Sequence, residues 1–253
     1  MRFPTSLNIL KNLVLRNLKV RYKGSLLGVF WVLLNPLFTM LVLYIVFSCI
    51  VKMNIKQYPL FLLSAILPWS FFSSSLTDAS RSIIDDSNLV KKVYFPREVL
   101  PLSYVISNFI NFLFSLIIIL TVLMIFRIQA LKYVYYLPLI LIIHLVFTLG
   151  LALVVSCANV YFRDIGHILG IMLIFWFYMT PIFYPASMIP SQLYRLYLLN
   201  PMASIINIYR DVLFEGNAPS PGNLLTLMLF AGAVSLCAYF IFKKYENSFA
   251  KVL

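Results

Sequence analysis

The chain has 253 residues, 62% of them hydrophobic and only 11% charged, with a mean hydropathy of +0.94. Soluble domains run about 45–50% apolar and about 25% charged, so the composition excludes a soluble globular protein and indicates an integral membrane one. The formal net charge of +12 does not point to nucleic acid, because no soluble basic domain is present to hold a duplex; Lys and Arg gathered in cytoplasmic loops account for it.

The first element is a basic amphipathic helix. In LNILKNLVLRNLKVRY at 7–22, Leu7, Leu10, Val14 and Leu18 recur at spacings of three and four, while Lys11, Arg16, Lys19 and then Lys23 cover much of the remaining surface. Such a helix is too polar to span and suits the cytoplasmic headgroup layer. It acts as a plain anchor or also frames the approach of an anionic lipid; the residues alone leave both open.

Six candidate spans follow, since about 20 apolar residues cross a bilayer. They are expected near Val29–Val51, Tyr58–Leu76, Val99–Phe126, Leu137–Val160, Ile165–Phe183 and Leu224–Phe242. Asn35-Pro36 should kink the first, and the third is long enough to tilt. Of the 20 Lys and Arg, 14 fall on the even loops and both tails, and 6 on the other loops, with Arg2 counted in the first group and Arg127 in the second. This asymmetry puts both termini in the cytoplasm. The expected fold is an all-α integral membrane protein of one domain over 1–253: six transmembrane helices, an N-terminal amphipathic interface helix over 1–25, and short re-entrant helices before the last span.

Between the second and third spans lies a charged island at 78–98, with Arg81, Asp85, Asp86, Lys91, Lys92, Arg97 and Glu98. Charge of this density cannot rest in hydrocarbon; it belongs in water or against another protein. The connection at 185–222 is mostly apolar but is broken by Pro190, Asn200-Pro201, Pro219 and Pro221. Ser191 is expected to cap a piece ending near Leu199, and Met202 to Phe214 to form another. Each is too short to cross, so they dip in and return if protein covers their ends, or lie as amphipathic helices on the surface.

Several chemistries have no support. The spans as drawn hold no Asp, Glu, Lys or Arg, and His144 is the one ionisable group well inside them, which is thin for an ion-coupled path. No phosphate-cradling G-x-x-x-x-G-K-[ST] loop occurs. Cys49, Cys157 and Cys237 are scattered in apolar runs without metal-ligand spacing, and no cleavable signal peptide is expected. Asp85-Asp86 could serve a metal-dependent transferase, but Asp164 stands without a companion carboxylate. What remains is a permeation path without its own energy source. Its aromatics, including Trp69, Phe71 and Phe72 in the second span and Trp176, Phe177 and Tyr178 in the fifth, suit sugar rings or an interfacial belt.

Five stretches carry a resemblance: LKVRYKGSLLGVFWVLLNPL at 18–37, LPWSFFSSSL at 67–76, NLVKKVYFPREVLPLS at 88–103, NVYFRDIGHILGI at 159–171 and FYMTPIFYP at 177–185, with NPM at 200–202 continuing it. In this order they resemble the ABC-transporter permeases that export polysaccharides, the O-antigen (Wzm-like) and teichoic-acid exporters, over essentially the whole chain. The resemblance implies a homodimer in the cytoplasmic (inner) membrane, with two copies of an ABC ATPase beneath it. It implies a channel for an undecaprenyl-diphosphate-linked glycan, no cofactor in this chain, and ATP and Mg at the ATPase. It further implies a coupling segment over Ser82, Ile83, Ile84, Asp85, Asp86, Asn88, Leu89, Val90, Lys91 and Lys92, and outer gate helices over 185–222. On that basis Ile83, Ile84, Leu89 and Val90 would fill a groove in the ATPase, Arg16, Lys19, Arg21 and Lys23 would receive the lipid diphosphate, and Trp69, Phe72, Trp176 and Tyr178 would line the channel.

Overall fold

The computed structural model describes residues 6–25, 27–92, 95–126 and 128–253; residues 1–5 of the interface segment, and Arg2 and Arg127 of the charge tally, lie outside the described residues. Helices dominate: α1 Ser6–Tyr22, α2 Trp31–Tyr44, α3 Tyr58–Asp85, α4 Ser87–Lys92, α5 Val99–Phe126, α6 Leu137–Tyr161, α7 Ile165–Met179, α8 Tyr194–Leu198, α9 Pro201–Arg210, α10 Pro221–Tyr245 and α11 Phe249–Val252. Among the described residues, 5 helices are long and apolar enough to cross a membrane, and α7 is a shorter apolar one.

Two of the expected spans change character. The second runs nine residues further than the sequence suggested, to Asp85. At 1.5 Å per residue its 28 residues measure about 42 Å against a hydrocarbon core of about 30 Å. Its last turns, with Asp78, Arg81 and Asp85, therefore stand outside the apolar layer, so the charged island begins as a helix projecting into water and not as a loop. The fifth span shortens: α7 ends at Met179, and 15 residues reach only about 22 Å. Pro181 cannot continue the helix, and the chain turns at once, with Ile182 N–H donating to the Thr180 carbonyl at 2.7 Å.

Helix α3 is the axis of the subunit. It packs against α2, α5, α6, α7 and α9, and its rings and aliphatics, among them Phe61, Leu62, Ile66 and Phe72, form the centre of the main core. A second core at the charged end joins Leu13 of α1, Ile83, Val90 of α4, Leu100, Phe242 and Phe249. Helices α6 and α10 meet at Gly150, where a Cβ would come 2.8 Å from Ser235 Oγ and 2.9 Å from its Cα. Only glycine permits that approach, and Ser235 Oγ donates to the Val146 carbonyl at 2.6 Å across it.

In α1 the buried residues are Leu13 and Val14, whereas Leu7 is 72% exposed. The inward face is thus set by the seat on α5, about one residue round from the pattern expected at Leu7. The expected 191–199 helix shrinks to α8, preceded by turns at Pro190 and Ser191. Helix α9 is buried on nearly every side, with Met202, Ala203, Ile205, Ile206, Ile208 and Tyr209 all inside. It is therefore part of the protein core and not a helix lying on its surface.

Candidate functional site

The charged end is assembled by ion pairs between distant segments. Arg16 of α1 grips Asp86 with two hydrogen bonds, Nη1 to Oδ1 at 2.8 Å and Nη2 to Oδ2 at 2.6 Å. This fork-to-fork geometry suits guanidinium and carboxylate, and the bonds to Asp86 raise Arg16 above its ordinary pKa. One turn on, Arg21 pairs with Asp78 and donates to Asn108 Oδ1 at 2.5 Å, while Asn108 Nδ2 donates to Asp78 at 2.9 Å. On the far side, Lys243 of α10 bridges Glu98 at 2.9 Å and Glu246 at 3.1 Å, and Arg97 donates to the Glu246 carbonyl. Helix α4 lies within this frame and packs against α11 and α3.

That frame sorts the expected coupling residues. Ser82, Ile83 and Val90 are buried in the subunit's own core, with Ser82 Oγ bonded to the Ala79 carbonyl at 2.7 Å; they cannot fill a groove elsewhere. Asp86 is engaged by Arg16, and Ile84 is half-buried. Asp85, Asn88, Leu89, Lys91 and Lys92 remain exposed, with Leu89 the apolar tip among polar neighbours. In the turn after α6, Phe162, Arg163 and Asp164 are exposed as well. Of the four expected lipid-diphosphate cations, Arg16 and Arg21 are already paired. Lys19 and Lys23 are exposed, with no ion pair among the described residues.

The expected channel aromatics are also divided. Trp69 and Phe72 are packed inside the subunit, Phe72 fully, against Phe147, Trp176 and Trp69. Trp176 is a joint: its Nε1–H donates to Asn200 Oδ1 at 2.8 Å. The same oxygen caps α9 by accepting from Met202 N and Ala203 N at 3.1 and 3.3 Å, and Asn200 Nδ2 reaches Thr180 Oγ1 at 3.0 Å. Tyr178, 60% exposed, is the one of the four that faces outward.

The opposite end is tied by Arg210, only 4% exposed, which donates to the Ile182 carbonyl at 2.9 Å and lies 3.7 Å over the Phe61 ring. Tyr58 O–H donates to the Phe183 carbonyl at 2.6 Å. Behind them His144 Nδ1 sits 3.4 Å from the Tyr209 hydroxyl in a cage of Phe71, Phe72 and Phe112. Among the described residues no cluster of His, Cys, Asp or Glu could hold a metal ion.

A cavity of about 510 Å³ opens between α2, α3 and α5, just inside the Arg21–Asp78–Asn108 cluster. Its walls carry Asn35 and Thr39, Ser70, Ser73, Ser74 and Thr77, and Asn108, Asn111 and Ser115. A smaller one of about 310 Å³, bounded by Arg16, Arg21, Asp86 and Tyr104, shares Arg21 and Asn111 with it. This polar lining was missed by reading the spans for charge and aromatics. Its signal was present: residues 70, 73, 74 and 77, and 108, 111 and 115, recur at helical spacing within apolar stretches. The Asn159 side chain was missed too; it donates to the Ser80 carbonyl at 2.8 Å and accepts from Gly166 N at 3.0 Å, fixing the α6–α7 turn to α3.

Residues 9–214 match the model of the family described as ABC-2 type transporter. The chain is 36% identical over 245 residues to the O-antigen export system permease protein RfbA of Myxococcus xanthus, covering 96% of this chain and 94% of the relative. It is 33% identical over 240 residues to a protein of the same name from Klebsiella pneumoniae, covering 94% and 92%. Similarity extends to the polysialic acid transport protein KpsM of Escherichia coli, at 24% identity and 86% of each chain.

Proposed function

This chain belongs to the ABC-2 type transporter family, and from that premise we propose that it is the permease subunit of an exporter of lipid-linked polysaccharide of the O-antigen type. The observation that carries the reading is similarity to O-antigen export permeases along nearly the whole length of both proteins. The subunit sits in the inner membrane with both termini and the charged end in the cytoplasm, in line with the excess of Lys and Arg there. It forms a homodimer that an ABC ATPase serves from below, one copy per subunit. ATP and Mg bind the ATPase; this chain carries no phosphate-cradling loop of its own and acts as a permease, not an enzyme. The 24% identity to a polysialic acid transport protein supports a capsular polysaccharide as the second reading of the cargo.

In this reading Leu89, ringed by Asn88, Lys91, Lys92 and Asp85, is the apolar anchor that enters the ATPase, and the charges form its rim. The pathway begins at Lys19 and Lys23, whose exposed ammonium groups attract the lipid diphosphate. The segment around α8 and α9 gates the outer side, with Tyr178 along the route of the sugars. Co-purification with the cognate ATPase tests the arrangement. Leu89→Asp should weaken the complex at least about tenfold, the scale of a lost interface anchor, while the permease still inserts. A complex as stable as wild type would move the contact to another part of the charged end.

A further inference from the structure

The cavity between α2, α3 and α5 is built for a ligand that nothing described above assigns to it. We propose that it is a sugar-binding subsite within each subunit, holding the sugar units nearest the lipid through Asn111, Ser74 and Thr77. The proposal deepens the export reading and rests on it for the source of the sugar.

Its volume, about 510 Å³, falls within the about 300–1,000 Å³ of small-molecule sites, enough for a few sugar rings but not a polymer. Its lining pairs neutral hydroxyls and amides with the apolar side chains of Trp31, Val32, Pro36, Leu67, Phe71 and Phe112. An isoprenoid tail has no use for the hydroxyls and amides, and a bare cation would need carboxylates. The one carboxylate present, Asp78, is already bonded to Arg21 and Asn108 at the mouth. Sugar hydroxyls both donate and accept, and the walls answer with both.

Three observations point to a ligand and not to idle polarity. Asn111 is 8% exposed, and its Nδ2 has no hydrogen-bond partner, although an unpaired buried donor costs about 1–3 kcal/mol. Pro36, which has no N–H to give the Val32 carbonyl one turn earlier, lines the same space together with Val32. Thr77 Oγ1 spends its proton on the Ser73 carbonyl at 2.8 Å, which leaves its lone pairs free to accept. Phe71 and Phe112, buried and stacked at 5.3 Å between centroids, close the inner wall of the cavity. The neighbouring smaller cavity shares Arg21 and Asn111 with it.

The test is direct binding of two probes to the purified chain in nanodiscs: undecaprenyl diphosphate carrying a hexose disaccharide, and bare undecaprenyl diphosphate. Wild type should prefer the glycosylated probe at least about tenfold, as one or two buried hydrogen bonds dictate. Asn111→Leu should erase that preference and leave affinity for the bare lipid unchanged. The paired conservative changes Ser74→Ala and Thr77→Val should reduce it several-fold, and they decide the matter if N111L does not fold. Equal wild-type affinity for the two probes overturns the subsite; so does an unchanged preference in the variants, or an equal loss for both probes. The export reading fails separately: a chain that keeps the preference but neither joins an ATPase nor supports export would retain the subsite and lose that role.

Discussion

At its charged end the protein surrounds a small buried core of Leu13, Ile83, Val90, Leu100, Phe242 and Phe249 with ion pairs between distant helices, Arg16–Asp86, Arg21–Asp78 and Lys243–Glu98. At the opposite end it joins them through buried rings, one buried arginine and the four-way junction at Asn200. The two kinds of joint differ in how they give. Solvated ion pairs contribute about 0–1 kcal/mol each and can exchange partners with water at little cost. Aromatic pairs add about 0.5–1.5 kcal/mol each beyond the area they bury, and a buried guanidinium cannot leave its carbonyl without a penalty. The ion-paired rim of the charged end can therefore rearrange at less cost than the buried junction at the opposite end.

The contrast breaks first at Arg210. Arg210→Ala strips the Ile182 carbonyl of its donor and empties space over Phe61. We expect a loss of about 3 kcal/mol, the lost bond plus the cavity, read as a lower midpoint of unfolding in detergent. Because a buried charge can itself be a burden, Arg210→Met supplies the control. A Met variant as stable as wild type would mean that packing, and not the hydrogen bond, holds α9 to the Thr180–Phe183 turn.

The sequence foretold the apolar spans better than the ends that join them. Val99–Phe126 coincides with α5, and five other spans were located within a few residues at their starts, because unbroken apolar runs have one physical solution in a bilayer. The ends were harder. Past Leu76, α3 carries Asp78, whose partners Arg21 and Asn108 are remote in the chain and not legible from local pattern. Whether Val90 faces out or in depends on Phe249 and Leu13 arriving from the two termini. Trp176 offered no sign that its indole would be spent on Asn200. The Ser and Asn rows at 70–77 and 108–115 were legible as spacing, but two helices had to face each other before the rows became a cavity.

A smaller effect is expected at the charged end. Arg16→Ala should cost at most about 1 kcal/mol, because Arg16 is 37% exposed against 12% for Asp86. The difference from wild type should shrink as salt rises from low to about 1 M, where the screening length falls to about 3 Å. Stability curves at the two salt concentrations measure it. A loss as large as that of R210A, or one indifferent to salt, would remove the distinction between the two ends.

The smallest effect separates the carboxylates of the two ends by pH. Asp86, Asp78 and Glu98 each have a cation within hydrogen-bond reach. Asp211 has no ion pair among the described residues, since the neighbouring Arg210 side chain is turned to Ile182 and Phe61. Burial, and then the nearby Glu215, push Asp211 up from 3.8 to about 6. A carboxyl whose folded pKa is raised keeps its proton in the folded chain while the unfolded chain has lost it. Stability therefore falls as pH rises from about 4 to about 6, and is level above. Asp211 is only half-buried, so solvent screening holds the effect to about 1 kcal/mol or less. Asp211→Asn should flatten that slope and gain the same amount at pH 7. A slope that survives the substitution would belong to another group, and the opposite end would then hold its carboxylates no differently from the charged one.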